Sequence, residues 1–233
     1  MNIAVPTVPQ GTELSPASFD RASLLERYRH LRKLNQRHHS QIIKLITGDA
    51  FLSQARRLGM ARGKQVILDR PDDTNFVFDL LIYTSTKDRS RAIDRYIRSV
   101  QFASDSDERL MAGAMQNDRF AVVRCEGRHP QMGLILRDIC RGVDFWLMDE
   151  GLENSLPIGA MMATRVYAVE HFHMTAGVLV PLDMDFLQEI LMQTPQLMRK
   201  PPIELVDDRR FAEAIYKAAF AEGRFNQIAY TED

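Results

Sequence analysis

The sequence predicts an α+β fold: an N-terminal helical region, a five-stranded antiparallel small β-barrel, and C-terminal helices. Three observations predict it. Arg119 to Asp183 reads as five short strands separated by turn residues, with no helix among them. Before that stretch, apolar residues recur at helical spacing from Leu24 onward, and after it Phe211, Ile215 and Ala219 return to that spacing. Five short strands also leave exposed edges unless the sheet closes, which favours a barrel. The divisions expected are a flexible tail over 1–16, a helical region over 17–118, the barrel over 119–183, and C-terminal helices over 184–233 packing on the rest.

Residues 1–16 are punctuated by Pro6, Pro9, Gly11 and Pro16 and show no periodicity. A long helix follows, with Ser23 and Glu26 spaced as a capping box. Leu24, Tyr28, Leu31, Asn35, His38, Ile42 and Leu45 then alternate in steps of four and three, the signature of a heptad seam. Gly48 is the expected stop, since glycine tolerates the left-handed C-terminal conformation. The seam suits either a coiled-coil dimer or the inner face of an intramolecular helix. A second helix is expected from Asp49 to Leu58, ending at Gly59, then a β-like run from Gln65 to Leu68. Asp69, Pro71, Asp72 and Asp73 form a turn cluster. Asn75 to Tyr83 is almost wholly apolar and reads as a buried helix. Helices over Arg89 to Val100 and Asp105 to Gln116 complete the region.

In the β-stretch, Phe120, Val122 and Arg124 alternate with Ala121, Val123 and Cys125, and Gly127 to Pro130 turns the chain. Met132, Leu134 and Leu136 alternate with Gly133, Ile135 and Arg137. Arg141-Gly142 makes a tight turn into Phe145 and Leu147, so strands two and three form a hairpin. Gly151 to Gly159 reads as a loop, and Ala160 to Val169 and Met174 to Leu182 are the last two strands. Helices follow at Met184 to Met192 and Arg209 to Gly223, separated by Pro195, Pro201 and Pro202.

Composition narrows the function classes. The 233 residues are 45% hydrophobic and 26% charged, an ordinary globular balance. The densest apolar run, Gly177 to Leu182, is strand-sized, so no membrane partner is expected. The first residues lack a basic segment followed by an apolar one, unlike a signal peptide. Two cysteines, Cys125 and Cys140, exclude a disulfide scaffold and make a cytoplasmic location the expectation. Phosphate-loop, dinucleotide-turn, nucleophile-elbow and His-Glu-x-x-His motifs are all absent.

The net charge is −1, yet residues 20 to 66 carry eleven bases and three acids. Arg29, Lys33, Arg37 and Lys44 form a basic stripe on the face of the first helix away from the seam, and Arg56 and Arg57 extend it. This stripe is the candidate partner-binding surface, with nucleic acid as one occupant through phosphate contacts. The competing reading is internal: the bases dock on the chain's own acids. Asp79 stands alone among Phe76, Val77, Phe78, Leu80, Leu81 and Ile82. A buried carboxylate must be paired or neutralised, so it is either an acid in a pocket or half of an ion pair with an arginine of the Arg89 to Arg98 helix. His171 and His173 lie two apart, and with Cys125 and His129 they count to four possible zinc ligands, against the plainer reading of surface histidines and a packed thiol. Asp149 and Glu150 are adjacent on a strand, which points them to opposite faces and away from shared acid–base work.

The β-stretch resembles a small bacterial module of uncharacterised function found in some proteins that carry SEC-C zinc motifs. The likeness runs through Phe120-Ala121-Val122-Val123, Gly133-Leu134-Ile135-Leu136-Arg137-Asp138, Arg141-Gly142, Leu147-Met148-Asp149-Glu150, Pro157-Ile158-Gly159, Ala163-Thr164-Arg165 and Thr175-Ala176-Gly177. It covers a quarter to a third of the chain. The cysteine-rich zinc motif itself is missing, so no metal role carries over. The resemblance implies a bacterial cytoplasmic protein with helices beside a β-barrel and supplies no activity.

Taken together, the residues lead to the expectation of a non-catalytic binding or adaptor protein without cofactor or bound metal. Its partner is another protein or a second copy of itself, with nucleic acid as the competing occupant of the basic helices. The alternative is an enzyme with a pocket around Asp79 or the His171/His173 pair.

Overall fold

The computed structural model describes residues 20–68, 70, 73–85 and 90–224. The expected tail over 1–16 lies outside the described residues, as do Asp69, Pro71 and Asp72 of the turn cluster. Helices and strands combine in an α+β architecture.

Helix α1 (Arg21–Ile43) is capped by Asp20, whose carboxylate accepts the Ser23 amide at 3.3 Å. Ser23 therefore sits inside the first turn rather than before it, and the capping box read from Ser23 and Glu26 is corrected. An aspartate three residues earlier does the capping with a full charge, satisfying the Ser23 amide. Along α1, Leu24, Tyr28, Leu31, Leu34, Asn35, His38 and Ile42 are buried. They pack within the chain against Ile82, Tyr83, Ile93, Met111, Tyr167 and Met174. The seam is already covered, which settles it as an intramolecular face and not a coiled-coil interface. Leu45, its expected last member, lies beyond the helix and is exposed. Gly48 does not stop α1; it opens α2 (Gly48–Arg57), which Thr47 caps.

Gly59, at φ 81°, ends α2 as expected. Two-residue strands β1 (Ala61–Arg62) and β2 (Gln65–Val66) pair antiparallel, shorter than the expected run to Leu68. Helix α3 (Thr74–Tyr83) buries Phe76, Val77, Asp79, Leu80, Ile82 and Tyr83. Helices α4 (Ala92–Ser99) and α5 (Asp107–Gln116) follow.

Five strands come next: β3 (Arg119–Arg128), β4 (Leu134–Asp138), β5 (Val143–Leu147), β6 (Met161–Val169) and β7 (Phe172–Leu182). Their pairings run in a ring, β3-β4-β5-β7-β6 and back to β3. Four pairings are antiparallel, but β5 and β7 run parallel, in register at Leu147 and His173. The wholly antiparallel sheet expected from the sequence is corrected on a simple ground. Strands that alternate in direction around a ring must be even in number, so a ring of five contains one parallel pair. The chain makes that pair with a crossover after β5 that includes helix α6 (Glu150–Ser155), where the sequence suggested a plain loop.

The alternation seen in sequence sorts the side chains. Ala121, Val123 and Cys125 point inward with Leu136, Phe145, Leu147, Met162, Val166 and Leu179. Phe120 and Val122 point outward beneath the helices. A one-residue register shift between Cys125 and Gly127 lets β3 continue to Arg128, past the turn expected at Gly127. At Gly133 the backbone has φ 84°, and an added Cβ would overlap the Leu147 carbonyl. Only glycine allows β4 to begin so close to the end of β5.

Helices α7 (Met184–Gln193), α8 (Pro195–Met198), α9 (Pro202–Val206) and α10 (Arg209–Glu222) close the fold, with Gly223 as a left-handed cap at φ 65°. The prolines expected to break the chain here instead start two short helices, since Pro fits the first helical turn. Phe76 and Leu80 of α3, Phe120 of β3, Phe186 of α7 and Phe211 and Ile215 of α10 share one core. The helices before and after the strands thus cover the same outer face of the sheet.

Candidate functional site

Strand β7 carries the irregularity that shapes the site. Thr164 pairs with Leu179 and Val166 with Thr175, so three residues of β7 stand opposite Arg165 alone. The segment Ala176-Gly177-Val178, two residues longer than its partner, bulges toward α1 and α3. Gly177 has φ 107° and nothing within 4 Å of an added Cβ, so the backbone there is open on one side. Between this bulge, α1, α3 and the start of α6 lies a cleft of about 680 Å³. That is within the range of small-molecule sites.

Asp79 of α3 forms part of the cleft wall. Its Oδ1 accepts Arg165 Nε and its Oδ2 accepts Arg165 Nη2, both at 3.0 Å. Tyr216 of α10 donates its hydroxyl to Oδ2 at 3.0 Å. Arg165 also bonds Asp118, which Arg91 holds at 2.8 Å, and Arg91 in turn grips Asp94 at 2.9 Å. Burial works against the Arg165 charge, but Asp79 and then Asp118 raise its pKa further than burial lowers it. Asp79 is thus half of a buried ion pair. Its partner comes from β6; the expected arginine helix contributes Arg91 one link further along, through Asp118.

Arg32 of α1 reaches across the cleft. It donates to the Thr175 carbonyl at 2.7 Å and the Asp149 carboxylate at 3.0 Å. Asp149 also accepts the Leu152 amide at 3.0 Å, capping α6, and the Thr175 hydroxyl at 3.2 Å. Asp149 is therefore a structural acid, and its neighbour Glu150 points elsewhere, to Arg29. His39 lines the cleft with Nε2 at 2.7 Å from the Tyr83 hydroxyl. Burial pushes His39 down to about 4, so the ring is neutral at ordinary pH. Asn35 also lines the cleft; it is 2% exposed, and its Nδ2 makes no well-aligned hydrogen bond among the described residues, reaching only loosely to the Tyr167 hydroxyl.

The basic stripe is largely occupied from within the chain. Arg29 pairs with Glu150 at 2.5 Å, Arg57 with Glu213 at 2.8 Å, and Arg56 donates to the Gly63 carbonyl at 3.0 Å. Lys44 meets Gln41 at 3.1 Å, while Lys33 and Arg37 are exposed. Off the stripe, Arg27 holds Asp107 and Glu170. Part of the excess of bases on α1 and α2 is therefore matched by acids on α5, α6, α10 and the β6–β7 turn, through Arg27, Arg29 and Arg57.

The histidines and cysteines do not converge. His171 lies in the turn before β7, whereas His173 is on the strand with its ring 4.6 Å from that of Phe145. His129 stacks on Trp146 at 4.0 Å, and Cys125 is buried among the inward residues. Among the described residues no three His, Cys, Asp or Glu side chains are grouped to hold a metal.

A family model of unknown function, DUF7986, matches residues 22–226. The chain belongs to that family. No curated protein and no solved structure matches it. The DUF7986 match spans α1 through α10, so the cleft and the residues that line it lie within the family's own region. Arg32, His39, Arg165 and Tyr216 carried no sequence signal for the site. Asn35 stood out in sequence only as one of two polar residues, with His38, on the apolar seam, and not as a site residue.

Proposed function

We propose that this DUF7986 chain is a non-catalytic binding protein whose cleft between α1, α3 and the β7 bulge holds a small polar molecule. The observation that carries the reading is Asn35, a buried amide on the wall of a ligand-sized cleft whose Nδ2 makes no well-aligned hydrogen bond and has only a loose one to the Tyr167 hydroxyl. Leaving such a group wholly unsatisfied costs about 1–3 kcal/mol, and a ligand acceptor removes what the loose bond leaves of that cost. The carboxylates beside it favour binding over chemistry. Both oxygens of Asp79 are taken by Arg165, with Tyr216 on one of them, and Asp149 is held by Arg32, Thr175 and an amide. A general base needs an oxygen that can reach the substrate proton, and each oxygen of these two carboxylates already accepts at least one hydrogen bond from the protein. An adaptor role and a bacterial cytoplasmic setting rest on the resemblance of the β-stretch and on two free thiols.

Thermal-shift screening against amino acids, nucleosides and small polar metabolites tests this, with Asn35→Leu and Gln36→Trp as controls. Asn35→Leu should melt close to wild type, because it removes a buried donor that is poorly satisfied, yet lose the ligand response. Gln36→Trp, an exposed change on the cleft rim, should keep the fold and block entry. Equal responses of all three proteins to every compound would refute the reading.

A further inference from the structure

The end of the β-ring where β3 begins carries a second feature, apart from the cleft. Arg119 is half-buried, and its guanidinium forms no ion pair among the described residues. By contrast, Arg91, Arg141 and Arg165 each hold a carboxylate. The acids near Arg119 are committed elsewhere. Asp138 accepts the Cys140 and Arg141 amides and the Arg141 side chain, and Asp144 pairs with Arg137. What Arg119 has is the face of Phe145, with Cζ 5.1 Å from the ring centroid.

His173 lies against the same ring, at 4.6 Å. The register brings it to this end: Arg119 pairs with Val166, Val166 with Thr175, and His173 with Ala168 two positions beyond. Two buried nitrogens, Arg119 Nε and His173 Nδ1, make no well-aligned hydrogen bond among the described residues, the His173 ring reaching only loosely to the Trp146 carbonyl. An unpaired cation drawn out of water is costly, and each poorly satisfied nitrogen adds to that cost.

We propose that Arg119 and His173, flanking Phe145, form a binding site for a small oxyanion, a carboxylate or a phosphate. The guanidinium Nε–H donates to one ligand oxygen, as arginine does to planar or tetrahedral oxyanions. The imidazole nitrogen shares a proton with a second, either accepting from a ligand hydroxyl or donating once protonated. Burial and then the Arg119 charge push His173 down to about 4 against the pull of the Trp146 carbonyl, and a bound anion offsets both. Oxyanion binding should therefore strengthen as the pH falls toward 5.

The test is a titration of the full chain with sodium phosphate and, separately, sodium acetate, each against sodium chloride at matched ionic strength. The arginine Nε and histidine side-chain resonances are read by nitrogen-15 NMR, with melting temperature alongside. The expected result is a saturable shift of the Arg119 Nε signal, identified by its loss in Arg119→Gln, with a raised melting point that chloride does not produce. Arg119→Gln should weaken binding about tenfold or more, the least that a charge-assisted hydrogen bond contributes. Arg119→Lys keeps the charge and should retain part of the affinity, so a failure of the glutamine variant to fold leaves the test intact. Saturation by acetate alone assigns a carboxylate ligand and by phosphate alone a phosphate; either supports the site. Shifts no larger than those of chloride, or an unchanged response in Arg119→Gln, overturn it. Neither outcome bears on the α1–α3 cleft, whose residues are not altered.

Discussion

Replacing Arg165 with Met would remove the centre of the buried ionic network while keeping most of its volume. Arg165 has 6% of its side chain exposed, Asp79 2% and Asp118 3%, so water cannot take over the lost contacts. Two bonds to Asp79 and one to Asp118 disappear, together with stacking of the guanidinium over Tyr83 at 4.9 Å. Breaking a buried pair from one side typically costs about 3–5 kcal/mol, because the abandoned charge stays in the core. That is a large share of the roughly 5–15 kcal/mol by which a domain is stable. Tyr216 still donates to Asp79 and Arg91 to Asp118, which keeps the expected loss near the lower figure.

The loss should depend on pH in a definite direction. Burial raises the Asp118 carboxyl above its ordinary range, against the pull of Arg165. Without Arg165 it rises further. A carboxyl whose folded pKa exceeds its unfolded value binds more protons folded than unfolded, so its contribution to stability falls as pH rises through that interval. The deficit of Arg165→Met relative to wild type should therefore be full at pH 7 and smaller at pH 5. Urea unfolding followed by circular dichroism at both pH values measures it. Adding Asp79→Leu to Arg165→Met should recover part of the loss, since the stranded charge goes with it. A variant as stable as wild type at pH 7, or a deficit that does not shrink on acidification, would refute the view that Arg165 compensates buried charge.

Three further outcomes follow from other parts of the fold. Gly133→Ala should cost about 3 kcal/mol or more, through its positive φ and overlap with the Leu147 carbonyl. Gly142→Ala, at φ 68° with open space around it, should cost about 1 kcal/mol from conformation alone, and comparing the melting points separates the two terms. Burial holds His39 and His173 at about 4, below the ordinary 6.5, so the unfolded chain takes up these protons first. Their stabilising contribution is intact above about pH 6.5 and is lost as pH falls toward 4, by up to about 1.4 kcal/mol per pH unit for each ring. His39→Gln should flatten that slope in urea midpoints taken from pH 7 to 5. Finally, Lys33→Glu with Arg37→Glu should leave the melting point unchanged, because both are exposed, and a mobility-shift series with single- and double-stranded nucleic acid should show no salt-dependent binding to lose.

The strands were legible because alternation is a local signal that survived both bulges. On β7 the surplus is two residues, which preserves parity, so Phe172, Met174, Val178, Val180 and Leu182 all face the helices. The single-residue shift at Glu126 does flip parity, and there the sequence reading ended the strand early. Helix α6 was missed because Gly151, Asn154 and Ser155 give it the composition of a turn, and Leu152 is its one buried residue. The excess of bases on α1 and α2 was plain, but their partners are not neighbours in sequence. Glu150 lies 121 residues from Arg29, and Glu213 lies 156 from Arg57. Asp79 was singled out correctly as a costly residue, yet nothing near it named Arg165, 86 positions away.

Those distant partners and the cleft share one cause. On β6, Ala163, Arg165 and Tyr167 point outward, and across the sheet Arg165 stands beside Phe120. An outward arginine under a helical layer must find a charge there, and α3 supplies Asp79. Opposite Arg165, β7 carries its two surplus residues, and that bulge keeps α1 and α3 from closing directly over the sheet. Arg32 then crosses the gap to the Thr175 carbonyl and Asp149, a link a shorter side chain would not make. The cleft is thus framed at both ends by paired charges that cannot move without exposing a partner, which gives it fixed polar walls before any ligand arrives. Such preorganisation lowers the ordering cost of binding. Within those walls Asn35 is the polar group least well satisfied, and this is why its substitution should separate stability from ligand capture where substitutions in the ionic frame cannot.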